Sequence, residues 1–343
     1  MLAIFFDIEA AFDKVWHNGL IYKLIQARVP YYIVRFVITD AFLENRRFRI
    51  KINNEYSEWI IILCGVPQGA VLSPTLFAIY INDSPNRSLK NSEQTLLFAD
   101  DTAYMLFFKK KTQAITNRVN KFLNDLSMWA KKWRVTLAPH KCQHIVISNL
   151  KTCPVFELWL NGLKIESAEE VRFLGLRIDK RMSFKYQVDY LKKACSERLN
   201  ILKIISHKSW HLNVKILKEI YHSLVRSLLE YTSFIYQMLN DDLKKKVDSI
   251  QNRALRIIYK KERQFGNVAL HKLAEEKALA VRLRELKEKY LMKNLLTNNP
   301  IITSLRKEFK SLRGARELKH KTILCDIEWL DDSLLDDNNS DEE

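Results

Sequence analysis

Residues 96–106 read LLFADDTAYML, two adjacent aspartates set between two apolar runs of strand length. Apolar runs of this kind predict a buried hairpin whose tight turn presents Asp100 and Asp101. Adjacent carboxylates repel each other, so the turn wastes stability unless a cation binds there or it is a plain Asp-rich surface turn. A second apolar run, LAIFF, ends directly in Asp7. An Asp at the end of a buried strand is exposed at a sheet edge and can hold a cation, although alone it reads better as a helix N-cap. Two carboxylate sites on separate strands favour the metal reading. Carboxylates of this type hold paired Mg²⁺ ions that activate an attacking hydroxyl and stabilise a leaving phosphate.

The charge agrees with a phosphate-bearing ligand. The net charge is +16, and residues 326–343 hold nine acidic residues and no Lys or Arg, so the remaining body carries +25. Residues 185–322 alone hold 31 basic and 14 acidic residues. A basic body of this size points to a polyanion partner, with a solvated helix surface as the plain alternative. The seven glycines never form GxGxxG or GxxxxGK, which argues against a dinucleotide fold or a P-loop. Five cysteines without a CxxC fit an intracellular chain with free thiols. No apolar run reaches membrane-spanning length, Ile60–Cys64 having the length of a buried strand, and LAIFF lacks the basic flank of a signal peptide.

The periodicity divides the chain. Strand-length runs (LAIFF, WIIILC, LLFA with AYMLFF, HIVIS) alternate with helical stretches at 20–29, 76–81 and 115–129. From about residue 186 the pattern is helical, with the apolar pairs Ile216/Leu217, Ile220/Tyr221, Leu224/Val225 and Leu228/Leu229 on one face and a second stripe through Val247, Ile250, Ala254, Leu255, Ile257 and Ile258. Between the two acidic sites lies GVPQGAVLSP, a loop with little side chain that lets a ligand approach its backbone, followed by a helix starting at Ser73-Pro74.

Taken in order, these motifs resemble those of reverse transcriptases, most closely those of jockey-type non-LTR retrotransposons, over about residues 1–260. FFDIEAAFDKVWH resembles the first catalytic motif, which implies Asp7 as a metal ligand and Phe12 as the gate that rejects a ribose 2′-hydroxyl. GVPQGAVLSP resembles the template- and nucleotide-positioning loop, with Gln68 and Gly69 as its central pair. FADD resembles the hallmark motif, giving Asp100 as the second metal ligand and Asp101 beside it. WRVTLAPHKC resembles the motif whose lysine, here Lys141, donates a proton to pyrophosphate. VRFLGLRID resembles the primer grip, with Phe173, Leu174 and Gly175 at its turn.

The resemblance implies an α+β polymerase palm, an antiparallel sheet backed by helices, over residues 1–184. An all-α thumb would follow at 185–265, then a basic helical region at 266–325 and an acidic disordered tail at 326–343. It also implies RNA-directed DNA synthesis from dNTPs on an RNA template with a DNA primer, using two Mg²⁺ ions for which Mn²⁺ substitutes, with no membrane and a nuclear or cytoplasmic location. The Ile8 carbonyl would assist the metals. The competing expectation is a catalytically weak or inactive nucleic-acid-binding remnant, and a purely structural protein would show no polyanion affinity.

The sequence departs from the family pattern in places. The first motif begins within seven residues of the start, so the fingers that normally precede it, and an upstream endonuclease, are expected to be missing and turnover to be poor. Ala10 stands where Lys is common, and Ala138 where Asn is common. Arg46, Arg47 and Arg49, in an expected hairpin arm, are the nearby basic alternatives.

Zinc at His140/Cys142/His144 or His207/His211 lacks a convincing second ligand spacing. Trp129 and Trp133, one turn apart, read as helix packing before base stacking. The acidic tail reads as a solvated end, with an intramolecular polyanion mimic as the sharper alternative.

Overall fold

In a computed structural model the described residues are 1–39, 42–85, 92–150, 153–297, 299 and 303. The acidic tail lies outside them. The chain divides into two compact units, one formed by residues 1–175 and 179–182, the other by 176–178 and 183–343.

The first unit is built on β1 (Leu2–Phe6), α1 (His17–Gln26), α2 (Tyr31–Thr39), β2 (Arg47–Phe48), β3 (Lys51–Ile52), β4 (Glu55–Tyr56), β5 (Ile60–Ile61) and α3 (Ser73–Ile81). Next come β6 (Glu93–Phe98), β7 (Asp101–Leu106), α4 (Gln113–Lys132), β8 (Gln143–Val146), β9 (Trp159–Leu160), β10 (Leu163–Lys164), β11 (Glu166–Ser167) and β12 (Glu170–Phe173). The chain leaves this unit through β13 (Leu176–Asp179). Five strands form one sheet in the order β11-β8-β1-β7-β6, and only the β11–β8 pair is parallel. This is the mixed α+β architecture with a mostly antiparallel sheet that the sequence implies.

Strand β1 is central, and alternation along it explains why LAIFF is apolar throughout. Leu2, Ile4 and Phe6 enter the main core with Tyr104, Phe122 and Leu123, and the Tyr104 ring stacks on Phe122 at 4.1 Å. Ala3 joins Ile145 and Val171 on the opposite face, where Phe5 packs. The sheet is therefore covered on both sides, and its central strand has no polar residue before Asp7.

WIIILC does not form a buried strand. Ile60 and Ile61 pair with β2 in an arm whose strand residues are all exposed, and Leu63 is 82% exposed. An apolar run cannot distinguish a core strand from an arm strand, and here only two residues pair. Arg49, between β2 and β3, lies over the rings of Tyr56 (3.9 Å) and Trp59 (4.7 Å).

Trp129 and Trp133 serve the core. They surround the buried Lys23 ammonium with Tyr80, Trp133 at 3.8 Å, and Lys23 pairs with Asp83 at 2.5 Å. Burial lowers the Lys23 pKa, against the opposing pull of Asp83.

The second unit is helical in its described part after β13: α5 (Lys185–Ile205), α6 (Val214–Tyr221), α7 (Ser227–Tyr231), α8 (Ser233–Tyr236), α9 (Asp241–Tyr259), α10 (Asn267–Ala274) and α11 (Leu279–Leu296). A π-helical turn, His222–Arg226, joins α6 to α7. One member of each expected pair enters its core: Leu217, Tyr221, Val225 and Leu229 are buried, whereas Ile216 is exposed and Ile220, Leu224 and Leu228 are half-buried. In the second stripe Val247, Ile250, Ala254, Leu255 and Ile258 are buried and Ile257 is half-buried. Glu276 gathers this unit's charges, accepting from His222 Nε2 (2.7 Å) and Arg226 Nη1 (2.9 Å) with Lys218 Nζ at 3.3 Å. Burial alone would raise its pKa, but His222, Arg226 and Lys218 together hold it below the usual value.

Candidate active site

Asp7 is the first residue after β1, and the nearest helix begins ten residues later at His17, so it is not a helix N-cap. β1 and β7 pair antiparallel with Phe6 opposite Thr102, and one further step in that register sets Asp7 opposite Asp101. β6 and β7 close with Phe98 opposite Asp101, leaving Ala99 and Asp100 as a two-residue loop. Ala99 sits at φ +51°, in the left-handed region that two-residue hairpin loops require. The FADD string thus folds as expected and brings its two aspartates to the sheet edge where Asp7 lies.

The Asp101 carboxyl is held above its ordinary pKa, first by burial and then by the charges of Asp100 and Asp7. Lys141 Nζ lies 3.3 Å from Asp7 Oδ2, with both side chains about half exposed. Its placement is a backbone effect. Residues 143–146 pair with β1, and Glu9 N and Ala138 N bond Thr136 O (2.9 Å) and Asp7 O (3.0 Å). Residues 139–142 bulge between these two pairings, and Lys141 extends from the bulge. Ala138 is buried and acts through its backbone. Ala10 sits at φ +49° in the turn after Glu9.

The donor set is all carboxylate oxygen, which suits a hard divalent cation, and its mutual repulsion is what such a cation relieves. Among the described residues no group of three or more His, Cys, Asp or Glu side chains is assembled as a metal cluster. His140 is exposed, whereas Cys142, just before β8, and His144, on it, are buried.

The loop from Gly65 to Gly69 is bound to the turn after Asp7. Val66 N donates to Phe12 O and Gly65 N to Val15 O, both at 2.8 Å. The Gly65 carbonyl accepts from Arg46 Nη1, with His17 Nε2 also at 2.8 Å. Gln68 Nε2 reaches both oxygens of Asp13, at 2.9 and 3.1 Å. Asp13, the second aspartate of FFDIEAAFD, has no sequence signal that it holds Gln68. Gly69 sits at φ +85° with open space beside it. The Phe12 ring stacks on Phe77 of α3 at 4.9 Å, and Ser73 Oγ ties the helix start to Pro67 O at 2.5 Å.

The turn after β12 is formed by Leu174 (φ +46°) and Gly175 (φ +78°). The Phe173 ring packs on Phe5 at 5.0 Å. Alternation puts Phe5 and Asp7 on one face of β1, so Phe173 rests against the same strand that ends in the first aspartate.

A family model described as reverse transcriptase (RNA-dependent DNA polymerase) matches residues 1–178, more than half of the chain. The RNA-directed DNA polymerase from mobile element jockey of Drosophila melanogaster is 29% identical over 260 residues, covering 74% of this chain and 28% of that protein. The probable RNA-directed DNA polymerase from transposon BS of the same species is 28% identical over 263 residues, covering 75% and 28%. The chain therefore spans about 28% of the length of these relatives. Apo telomerase from Candida tropicalis aligns at 12% identity over 88% of this chain and 51% of that one, with a TM-score of 0.37, too low to carry an argument. No described helix is long and apolar enough to cross a membrane.

Proposed function

The chain belongs to the reverse transcriptase (RNA-dependent DNA polymerase) family, and on that premise we propose that it is the polymerase part of a non-LTR retrotransposon enzyme, joining dNTPs to a DNA primer on an RNA template. The observation that carries this reading is the convergence of Asp7, Asp100 and Asp101 at one sheet edge, where burial first and then the charges of Asp100 and Asp7 hold the Asp101 carboxyl above its ordinary pKa.

Asp7 and Asp100 would hold two Mg²⁺ ions, with Asp101 adding charge and the Ile8 carbonyl assisting. When bound, such ions polarise a phosphoryl oxygen and favour ionisation of an attacking hydroxyl. The remaining roles fall to the chain itself. Phe12, backed by Phe77, walls the place of a sugar 2′-hydroxyl. Gln68 and Gly69 position the base pair from a loop with little side chain, and Asp13 fixes the Gln68 amide. Phe173, Leu174 and Gly175 support the primer end. Lys141 has its ammonium at the aspartate rim, where it can pass a proton to departing pyrophosphate. An ion pair between half-exposed groups is worth about 0–1 kcal/mol. The Lys141 ammonium would therefore leave Asp7 at small cost and be free for that transfer.

The second reading is a nucleic-acid-binding relative without turnover. Two observations favour it: Lys141 already neutralises Asp7, and no three-ligand cluster is assembled among the described residues.

Incorporation of labelled dNTPs on a primed RNA template separates the two. The polymerase reading expects incorporation that needs Mg²⁺ and RNA and vanishes in Asp7→Asn and Asp100→Asn. Hybrid binding without incorporation gives the second reading. Incorporation that survives in both variants overturns the site.

A further inference from the structure

We infer that Lys23 is a positioning residue: its buried ammonium fixes the rotation of α3 and thereby seats the Phe77 ring behind Phe12. The consequence for sugar discrimination rests on the polymerase reading, in which Phe12 walls the place of a 2′-hydroxyl. The seating of Phe77 does not.

α3 needs such a device because of its composition. After Pro74 and Thr75 it reads LFAIYI, apolar on every side. A helix that is apolar all round gains nearly the same burial at many rotations, so burial alone does not choose one. Directional bonds at its ends do. At the start, Ser73 Oγ donates to Pro67 O (2.5 Å) and ties the helix to the positioning loop. At the other end Lys23 Nζ donates to Tyr80 O, and Tyr80 Oη donates to Trp133 O. Ser73, Phe77 and Tyr80 lie three or four residues apart on the buried face, so what fixes Tyr80 also fixes Phe77.

The ammonium is enclosed for this purpose. Lys23 is only 4% exposed, on the buried side of α1. Tyr80 O is among the last carbonyls of α3, where a cation meets the negative end of the helix dipole. Asp83, just past that end, accepts from Lys23 Nζ (2.5 Å) and Trp129 Nε1 (3.0 Å) and balances the charge. The rings of Tyr80, Trp129 and Trp133 close around the ammonium. An apolar side chain of similar volume would fill this space at little cost, or with a gain in stability. Packing alone therefore does not account for a lysine here. What an apolar chain cannot do is hold one carbonyl in one direction.

A neighbouring cavity opens the site to a chemical test. It has a volume of about 390 Å³, lies between α1 and α3, and is lined by Lys23, Gln26, Thr75, Asn82 and Asp83. Shortening Lys23 to Ala removes the equivalent of n-propylammonium, and the cavity gives that ion a route to the same place.

The test compares the full chain with Lys23→Met and with Lys23→Ala, the latter with and without n-propylammonium. Propanol, of similar shape and no charge, is the control. The first readout is the ratio of dNTP to rNTP incorporation on a primed RNA template. The second is the fluorine resonance of para-fluorophenylalanine introduced at position 77, which needs no polymerase activity. Lys23→Met is expected to stay folded, to shift the resonance and to lower the ratio roughly twofold to thirtyfold. Lys23→Ala should do the same, and n-propylammonium should reverse both effects saturably where propanol does not. Should Lys23→Ala not fold, Lys23→Met carries both readouts. A role in packing alone would lower dNTP and rNTP incorporation in proportion and leave ratio and resonance unchanged, which overturns the inference. Rescue by propanol as complete as by the ammonium overturns it too. A shifted resonance with an unchanged ratio would overturn the link to sugar discrimination. If the wild-type chain incorporates neither nucleotide class, the polymerase reading falls and the resonance decides alone. A shift that n-propylammonium reverses then keeps the seating of Phe77, and no shift removes it.

Discussion

Replacing Gly65 with Ala should damage the first unit far more than the same change at Gly69, and the structure sets the size of the difference. Gly65 sits at φ +87°, and a Cβ there would lie 2.5, 2.8 and 2.9 Å from the backbone O, C and Cα of Asp13. A left-handed conformation costs an L-residue about 1–2 kcal/mol. The neighbouring atoms are main chain, so they cannot yield as a side chain would. The loop must move away from Asp13, giving up the Gly65 N–Val15 O and Val66 N–Phe12 O bonds, each 2.8 Å. Two such bonds add about 2 kcal/mol, for a total of about 3–4 kcal/mol. Gly69 shares the conformational cost, at φ +85°, but has nothing within 4 Å of a new Cβ. Its substitution should cost only about 1–2 kcal/mol. Urea unfolding measures both, and native-state amide exchange localises the loss. For Gly65→Ala the Val66 amide should exchange roughly a hundredfold faster. Equal destabilisation by the two substitutions, or an unaffected Val66 amide, would refute the claim that Asp13 and Gly65 clamp the positioning loop.

Three further outcomes follow from the same geometry. Phe12→Val should remove the ring stacked on Phe77 and cut dNTP over rNTP selectivity by roughly one to two orders of magnitude in an incorporation assay. Unchanged selectivity would make Phe12 simple packing. Glu276→Gln leaves Lys218, His222 and Arg226 facing one another, and should cost about 2 kcal/mol in urea unfolding once partial exposure is discounted. Because Glu276 is held below its usual pKa in the fold, its contribution is full above the unfolded value and is lost as pH falls through the folded one. The Gln variant should lack that acid-side loss. Removal of residues 326–343, with their nine acidic side chains, should tighten hybrid binding several-fold at low salt, an advantage that fades as the screening length shortens to about 8 Å near 0.15 M.

Much of the site was legible because its chemistry interrupts a strong pattern. A buried strand that ends in Asp7 and a hairpin broken by Asp100 and Asp101 are local signals, and both fold as read. The helical stripes were equally local, one residue of each apolar pair meeting the core at helical spacing. What stayed hidden depends on distant partners. The Asp13–Gln68 contact joins residues 55 apart. Lys23 looks like a solvated helix lysine until Tyr80, Trp129 and Trp133 close around it. Ile60 and Ile61 read as core, yet their strand pairs only with β2 and stays exposed. Periodicity reports which residues resist water, and only pairing and packing decide where they go.

Replacing Mg²⁺ with Fe²⁺ tests the central claim most directly, because hydroxyl radicals made at bound iron cut the backbone beside it. With iron, ascorbate and peroxide, the end-labelled chain should be cleaved near residues 7 and 100–101 and protected by excess Mg²⁺. Both cuts should be lost in Asp7→Asn and Asp100→Asn. Cleavage elsewhere, or cuts that persist in both variants, would contradict a metal centre at this sheet edge.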